Sequence, residues 1–204
     1  MREIYSDIFS EFINSMDCIS NNYYFSFLSV NFFNRRPFEH DIILAADLSK
    51  KTITAESINS LDKDLIHEYG NSIRRHVLND IVIAYERYST RMYASYKSKT
   101  FIEPAVLKKK YHPKQFESEL LKSNFDDEVK FLIQLRHLRN CIVHYNGKYS
   151  YGNELDYTFG NECYKSTDKL GQDISISFDT IEWIIMDLRK KVNICNEYYL
   201  NNKI

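Results

Sequence analysis

The sequence predicts an all-α fold, an antiparallel helical bundle, on three observations. Four stretches repeat apolar residues at spacings of three and four, the mark of helices with one buried face. Only one short stretch, Ile174 to Phe178, alternates in the manner of a strand. The 204 residues are enough to bury a substantial core, yet two independent domains would be cramped in them.

The first helix is carried by Ile4, Ile8, Phe9, Phe12, Ile13, Met16 and Ile19. Residues Asn22 to Phe33 are aromatic-rich and either continue it or form a strand, because short apolar runs do not settle the period. Arg36-Pro37 breaks the pattern, and Asp41 to Ser60 reads as irregular structure with room for one short helix. A long helix follows from about Asp62 to Tyr96, with Leu65, Ile66, Tyr69, Ile73, Val77, Ile81, Ala84, Tyr85, Tyr88 and Met92 on one broad face; Gly70 weakens it without ending it. Glu103-Pro104 opens a shorter basic helix toward Lys110, His112-Pro113 interrupts, and Lys114 to Leu121 forms a further turn or two.

The next helix has Asn124 or Asp126 as its cap, acidic Asp127 and Glu128 in its first turn, and a stripe of Phe131, Leu135, Leu138, Ile142 and Tyr145. It should stop at Asn146-Gly147, where glycine can turn left-handed. Lys148 to Gly171 reads as a long loop. Asp179 then caps a C-terminal helix whose buried face is Ile181, Ile184, Ile185, Leu188, Val192, Cys195 and Tyr199. We read residues 1–204 as a single helical domain, with an N-terminal helix and aromatic extension over 1–60 and a bundle core over 62–200. The key helix occupies about 126–146, and the insertions leave room for a short β-hairpin.

Net charge is −1, so the surface lacks the basic excess of a protein that coats nucleic acid without specificity. Basic residues do cluster, at Arg35-Arg36, Arg74-Arg75-His76, Lys108 to Lys110, Arg136 to Arg139 and Arg189 to Lys191; a solvated helix face accounts for most such runs. Cys18, Cys141, Cys163 and Cys195 are scattered without a CxxC pair, which suggests neither a disulfide framework nor a zinc knuckle. With no apolar run near the ~20 residues a bilayer demands, and no secretory signal, the expectation is a soluble cytoplasmic protein without a membrane partner.

The run Arg139-Asn-Cys-Ile-Val-His144 concentrates chemistry at one helix end. At ~100° per residue, Arg136, Asn140 and His144 share a ridge, while Arg139 lies ~140° from His144. Arg139 and His144 can therefore converge only if the arginine curls round the helix or if two copies of the helix face each other. An RNA phosphodiester carries its own nucleophile, the 2′-hydroxyl. Cleavage then needs a group that takes its proton, a cation on the phosphate and a donor for the leaving oxygen. Histidine titrates near neutrality and arginine offers forked donors that match phosphate oxygens. Asn140 can orient either without adding charge.

This motif resembles the signature of the HEPN superfamily: Arg, then Asn, Asp or His, then three or four residues, then His. Arg139, Asn140 and His144 match it one by one, with Leu138 before and Asn146-Gly147 after in keeping. The resemblance implies an all-α HEPN-type bundle and a metal-independent endoribonuclease with no cofactor. Arg139, Asn140 and His144 would be its catalytic residues; Arg136 and Lys148, basic residues flanking the motif, are the candidate RNA contacts. It also implies a homodimer through the motif helix, a role as toxin or antiphage defence effector, and, for a toxin, a cognate antitoxin protein. The alternative is a noncatalytic HEPN-type module that binds RNA, a nucleotide or a protein partner. The aromatic segment through Ser60 and the loop from Lys148 to Gly171 depart from a compact HEPN bundle.

Bland readings stand beside these. Arg and His near a helix end can simply serve its terminal carbonyls and dipole. His137 and Cys141 are four apart, yet without a second pair they read as packed or exposed rather than as metal ligands. Cys141 reads as a small buried side chain, Tyr145 as core, and Tyr149 and Tyr151 as loop-ordering residues. His40, His67, His76 and His112 carry no assigned role.

Overall fold

The computed structural model describes residues 2–35, 57, 59–100, 111–150 and 154–202. Five helices and one hairpin make up these residues: α1 (Arg2–Asn34), α2 (Lys63–Ser98), α3 (Pro113–Leu121), α4 (Asp126–His144), β1 (Asp156–Phe159), β2 (Glu162–Lys165) and α5 (Phe178–Asn202). The all-α expectation holds in this coarse sense. The break at Arg36-Pro37, nearly all of the irregular segment to Ser60, the basic helix from Glu103 and Tyr151 lie outside the described residues.

α2 is the central element and touches all four other described helices. The sequence explains why: Leu78, Ile81, Val82, Tyr85, Tyr88 and Met92 are fully or almost fully buried, so apolar positions wrap more than one face of the helix. Burial of each large side chain contributes roughly 1.5–3 kcal/mol. Asp62 caps α2 by accepting from the Asp64 N–H. At the first turns, however, Leu65 and Tyr69 are exposed, which corrects their place on the buried stripe.

α1 resolves the helix-or-strand ambiguity in favour of one unbroken helix through Asn34. Tyr5, Ile8, Phe12, Met16, Tyr23 and Val30 face the core, and the Tyr23 hydroxyl donates to the Phe178 carbonyl at the start of α5. Tyr24, Phe25, Leu28 and Phe32 point outward.

Pro113 opens α3 rather than interrupting it, because proline lacks only an N–H that the first turn leaves unpaired; the Gln115 side chain accepts from the His112 N–H. Between α3 and α4, Asn124 adopts a left-handed φ of 63°. Neither expected residue caps α4: Phe125 occupies that position without a side-chain bond, and its ring packs edge-on against Tyr198 at 5.0 Å. The cap of α5 is likewise Ser177, one turn-start earlier than Asp179, since the Ser177 hydroxyl accepts from the Thr180 N–H at 3.0 Å.

The hairpin lies inside the segment expected to be loop. Asp156 pairs with Lys165 and Phe159 with Glu162, leaving Gly160-Asn161 as a two-residue turn with Gly160 at φ +61°. A β-carbon on Gly160 would approach the Trp183 ring of α5 to 3.2 Å. Ile174 and Ile176 are buried but belong to no strand, so the alternation there reports a chain packed on one side. Gln134 of α4 clamps the hairpin, donating to the Glu154 carbonyl at 3.0 Å and accepting from the Asp156 N–H at 2.8 Å. One connected cluster of buried side chains runs from Tyr5 to Tyr199. Among the described residues, no helix is long and apolar enough to cross a membrane.

Candidate functional site

The motif residues occupy the last turns of α4, which packs against α2 on one side and the hairpin on the other. Phe131, Leu135, Leu138, Cys141 and Ile142 are buried, as the stripe predicts, and they fix the rotation of the helix. Tyr145 is 43% exposed and does not continue that stripe, because the helix has ended at His144.

Rotation then decides the fate of each polar residue. Arg139 turns toward α2, where its Nη2 donates to Glu86 Oε1 at 2.7 Å; the arginine side chain keeps only 15% of its surface, against 32% for Glu86. His144 is exposed and Asn140 half-buried, and neither side chain makes a hydrogen bond among the described residues. Arg139 and His144 are not in hydrogen-bonding contact within the protomer. The curled arrangement is not adopted: the arginine is engaged on α2 by Glu86.

Arg136 stands apart from the other site candidates. It is directed inward, donating to Glu117 Oε2 of α3 at 2.6 Å, with side-chain exposures of 11% and 4%. The Tyr85 hydroxyl donates to the other oxygen of Glu117 at 3.0 Å. Burial drives the Glu117 carboxyl above its ordinary range although Arg136 pulls it down, and burial also drives Tyr85 well above its own. Arg136 thus ties α4 to α3, and its guanidinium is engaged by a buried carboxylate rather than offered at the surface. Lys148 remains exposed just past that end, where its backbone forms an isolated bridge with Asp173.

The turn after α4 follows from Asn146 and Gly147, both left-handed at φ 54° and 76°. The Gly147 N–H returns to the carbonyls of Ile142 and Cys141 at 3.2 and 3.1 Å, and its own carbonyl accepts from the Ile174 N–H at 2.7 Å. Against this pinned backbone lies Arg75 of α2. A β-carbon on Gly147 would stand 2.7 Å from Arg75 Nη2 and 2.9 Å from its Cζ, so a side chain here would push the guanidinium aside, while the φ of 76° is what favours glycine.

Sequence reasoning missed Glu86 and Arg75 as neighbours of the motif. Arg75 was visible only as part of a basic cluster, and nothing local marks Glu86, which is 53 residues from Arg139. His137 donates from Nδ1 to the Glu154 carbonyl at 3.1 Å and so helps hold the hairpin; Cys141 is buried. Among the described residues, no group of three or more His, Cys, Asp or Glu side chains is placed to hold a metal ion. An open groove of about 400 Å³ lined by Asp17, Tyr24, Ile185, Met186 and Arg189 lies between α1 and α5, away from the motif.

Comparison of the chain with family models, with curated proteins and with solved structures finds no match.

Proposed function

We propose that the protein is a HEPN-type endoribonuclease that cuts RNA without a metal, acts as a homodimer through α4, and serves as a cytoplasmic toxin or antiphage effector. One observation carries this reading: His144 and Asn140 emerge one turn apart at the end of α4 with no hydrogen-bond or ion-pair partner among the described residues. A bundle gains nothing in its own packing from an imidazole and an amide left unengaged beside a helix terminus. Both are free to engage a substrate.

In the proposed reaction, His144 of one copy takes the ribose 2′-proton as O2′ bonds to phosphorus. The P–O5′ bond breaks, and the departing O5′ receives a proton from the imidazolium of the other copy. The products are a 2′,3′-cyclic phosphate and a 5′-hydroxyl end. Arg139 meets the phosphorane oxygens by exchanging its carboxylate partner for phosphate, and Asn140 orients the imidazole. A cognate antitoxin would act by covering this end of α4.

The Arg139–Glu86 contact favours a second reading, a noncatalytic module, because a guanidinium already neutralised has less charge to lend a transition state. Incubating the purified protein with total RNA in chelator separates the two. Cyclic-phosphate ends that vanish in His144→Ala support the enzyme. RNA binding with no cleavage in any condition supports the module, and cleavage that needs a divalent cation overturns the metal-free mechanism.

A further inference from the structure

We propose that Arg75 is a phosphate anchor for single-stranded RNA at the turn that follows the motif helix, a role that rests on the RNA-directed reading of the α4 terminus. Arg74 and Arg75 are neighbours with opposite fates. Arg74 is buried, lies over the Phe178 ring at 4.6 Å and donates to Asn71. Arg75 is half-buried against Gly147, yet it has no hydrogen bond or ion pair among the described residues.

The contrast with other partly buried arginines is direct. Arg91 pairs with Glu11, Arg136 with Glu117, Arg139 with Glu86 and Arg189 with Asp17. Partial desolvation of a guanidinium is unfavourable unless something answers its charge. The negative end of the α4 dipole supplies part of that answer at Arg75, but the Ile142 and Cys141 carbonyls are already taken by the Gly147 N–H. Among the described residues nothing accepts from its five guanidinium N–H groups. A phosphodiester oxygen pair suits that fork.

Position turns this cation into a subsite. Gly147 is three residues beyond His144 and one before the exposed Lys148, so Arg75 meets the turn that joins the end of the motif helix to Lys148. The Gly147 backbone is bonded through both its N–H and its carbonyl and cannot retreat. Arg75 gives up no carboxylate to meet a phosphate, whereas Arg139 must first leave Glu86.

The test is fluorescence anisotropy with a 2′-O-methyl single-stranded oligonucleotide, which cannot supply the nucleophile, over a range of KCl. Arg75→Gln should weaken binding about tenfold and flatten the log–log salt slope by about 0.7, the loss of one phosphate contact. Arg75→Lys should restore the slope, Gly147→Ala should mimic Arg75→Gln by displacing the guanidinium, and Lys190→Gln on the exposed face of α5 should change neither. Unchanged affinity and slope in Arg75→Gln, with the wild type binding normally, overturns the anchor while leaving the ribonuclease reading intact. Loss of binding in Arg75→Gln from a wild type that never cleaves sustains the anchor and removes the enzyme. No binding by the wild type, or equal displacement of the oligonucleotide by poly-glutamate, overturns the anchor in favour of no ligand or an acidic protein.

Discussion

Arg139 Nη2 donates to Glu86 Oε1 at 2.7 Å across the seam between α2 and α4. The arginine that the motif nominates for phosphate is thus engaged by a carboxylate, and binding RNA means competing with that carboxylate. The pair is partly open, so its worth is small, about 0.5–1 kcal/mol. An exchange of that size is within reach of a phosphate group.

Glu86→Gln should therefore tighten binding of an uncleavable oligonucleotide about twofold to fivefold, the affinity equivalent of that pair. Weaker binding would show that Glu86 aims Arg139 at the ligand instead of withholding it. Titrations at fixed ionic strength read the difference.

His144→Ala and Asn140→Ala should leave unfolding free energy within about 0.5 kcal/mol of wild type, because neither side chain makes a hydrogen bond or ion pair among the described residues. Cleavage of RNA in chelator should fall to background in His144→Ala. A large loss of stability in both variants, with no effect on RNA, would assign the motif to the bundle alone.

Arg136→Ala should cost about 3–5 kcal/mol, since it strands the buried Glu117 carboxyl. The triple variant Tyr85→Phe, Glu117→Leu, Arg136→Met should recover most of that loss by removing every polar member of the cluster together. Urea unfolding of the single and triple variants measures both, and an RNA-binding defect in the refolded triple variant would restore Arg136 to the site.

Glu162 gives a pH dependence with a definite sign. Burial raises its pKa, but hydrogen bonds from Tyr164, Ser177 and Thr180 outweigh burial and hold the carboxyl below its ordinary value of 4.5. The unfolded chain binds this proton more tightly, so the stabilisation is complete above that value and is lost as pH falls through the lower folded value. Glu162→Gln should lower Tm at neutral pH, with the gap to wild type closing toward acid in calorimetric scans. A gap that stays constant down to about pH 3 would mean the ionised form is not what Glu162 contributes.

Much of the architecture was legible because it follows from local chemistry. The stripes of α2, α4 and α5 needed only helical periodicity, and Asn146-Gly147 marked the stop of α4 through the left-handed preference of glycine. The hairpin carried a readable signal that went unused: Gly160-Asn161 between Asp156-Tyr-Thr-Phe159 and Glu162-Cys-Tyr-Lys165 is a two-residue turn between short runs rich in aromatic residues. The caps at Phe125 and Ser177 were missed because local rules name several eligible residues and packing selects among them.

The sequence by itself determined the helical character, the motif at one helix end, and the ~140° that keeps Arg139 off the His144 face, since helical pitch is a property of the backbone. Only the tertiary structure decided which cation each carboxylate captures. Glu117 takes Arg136 and Glu86 takes Arg139, while Arg75 is left against Gly147 with no carboxylate partner among the described residues. Charge pairing acts over a few ångströms in space, and residues that far apart in sequence become neighbours only when apolar burial has set the rotation and register of whole helices.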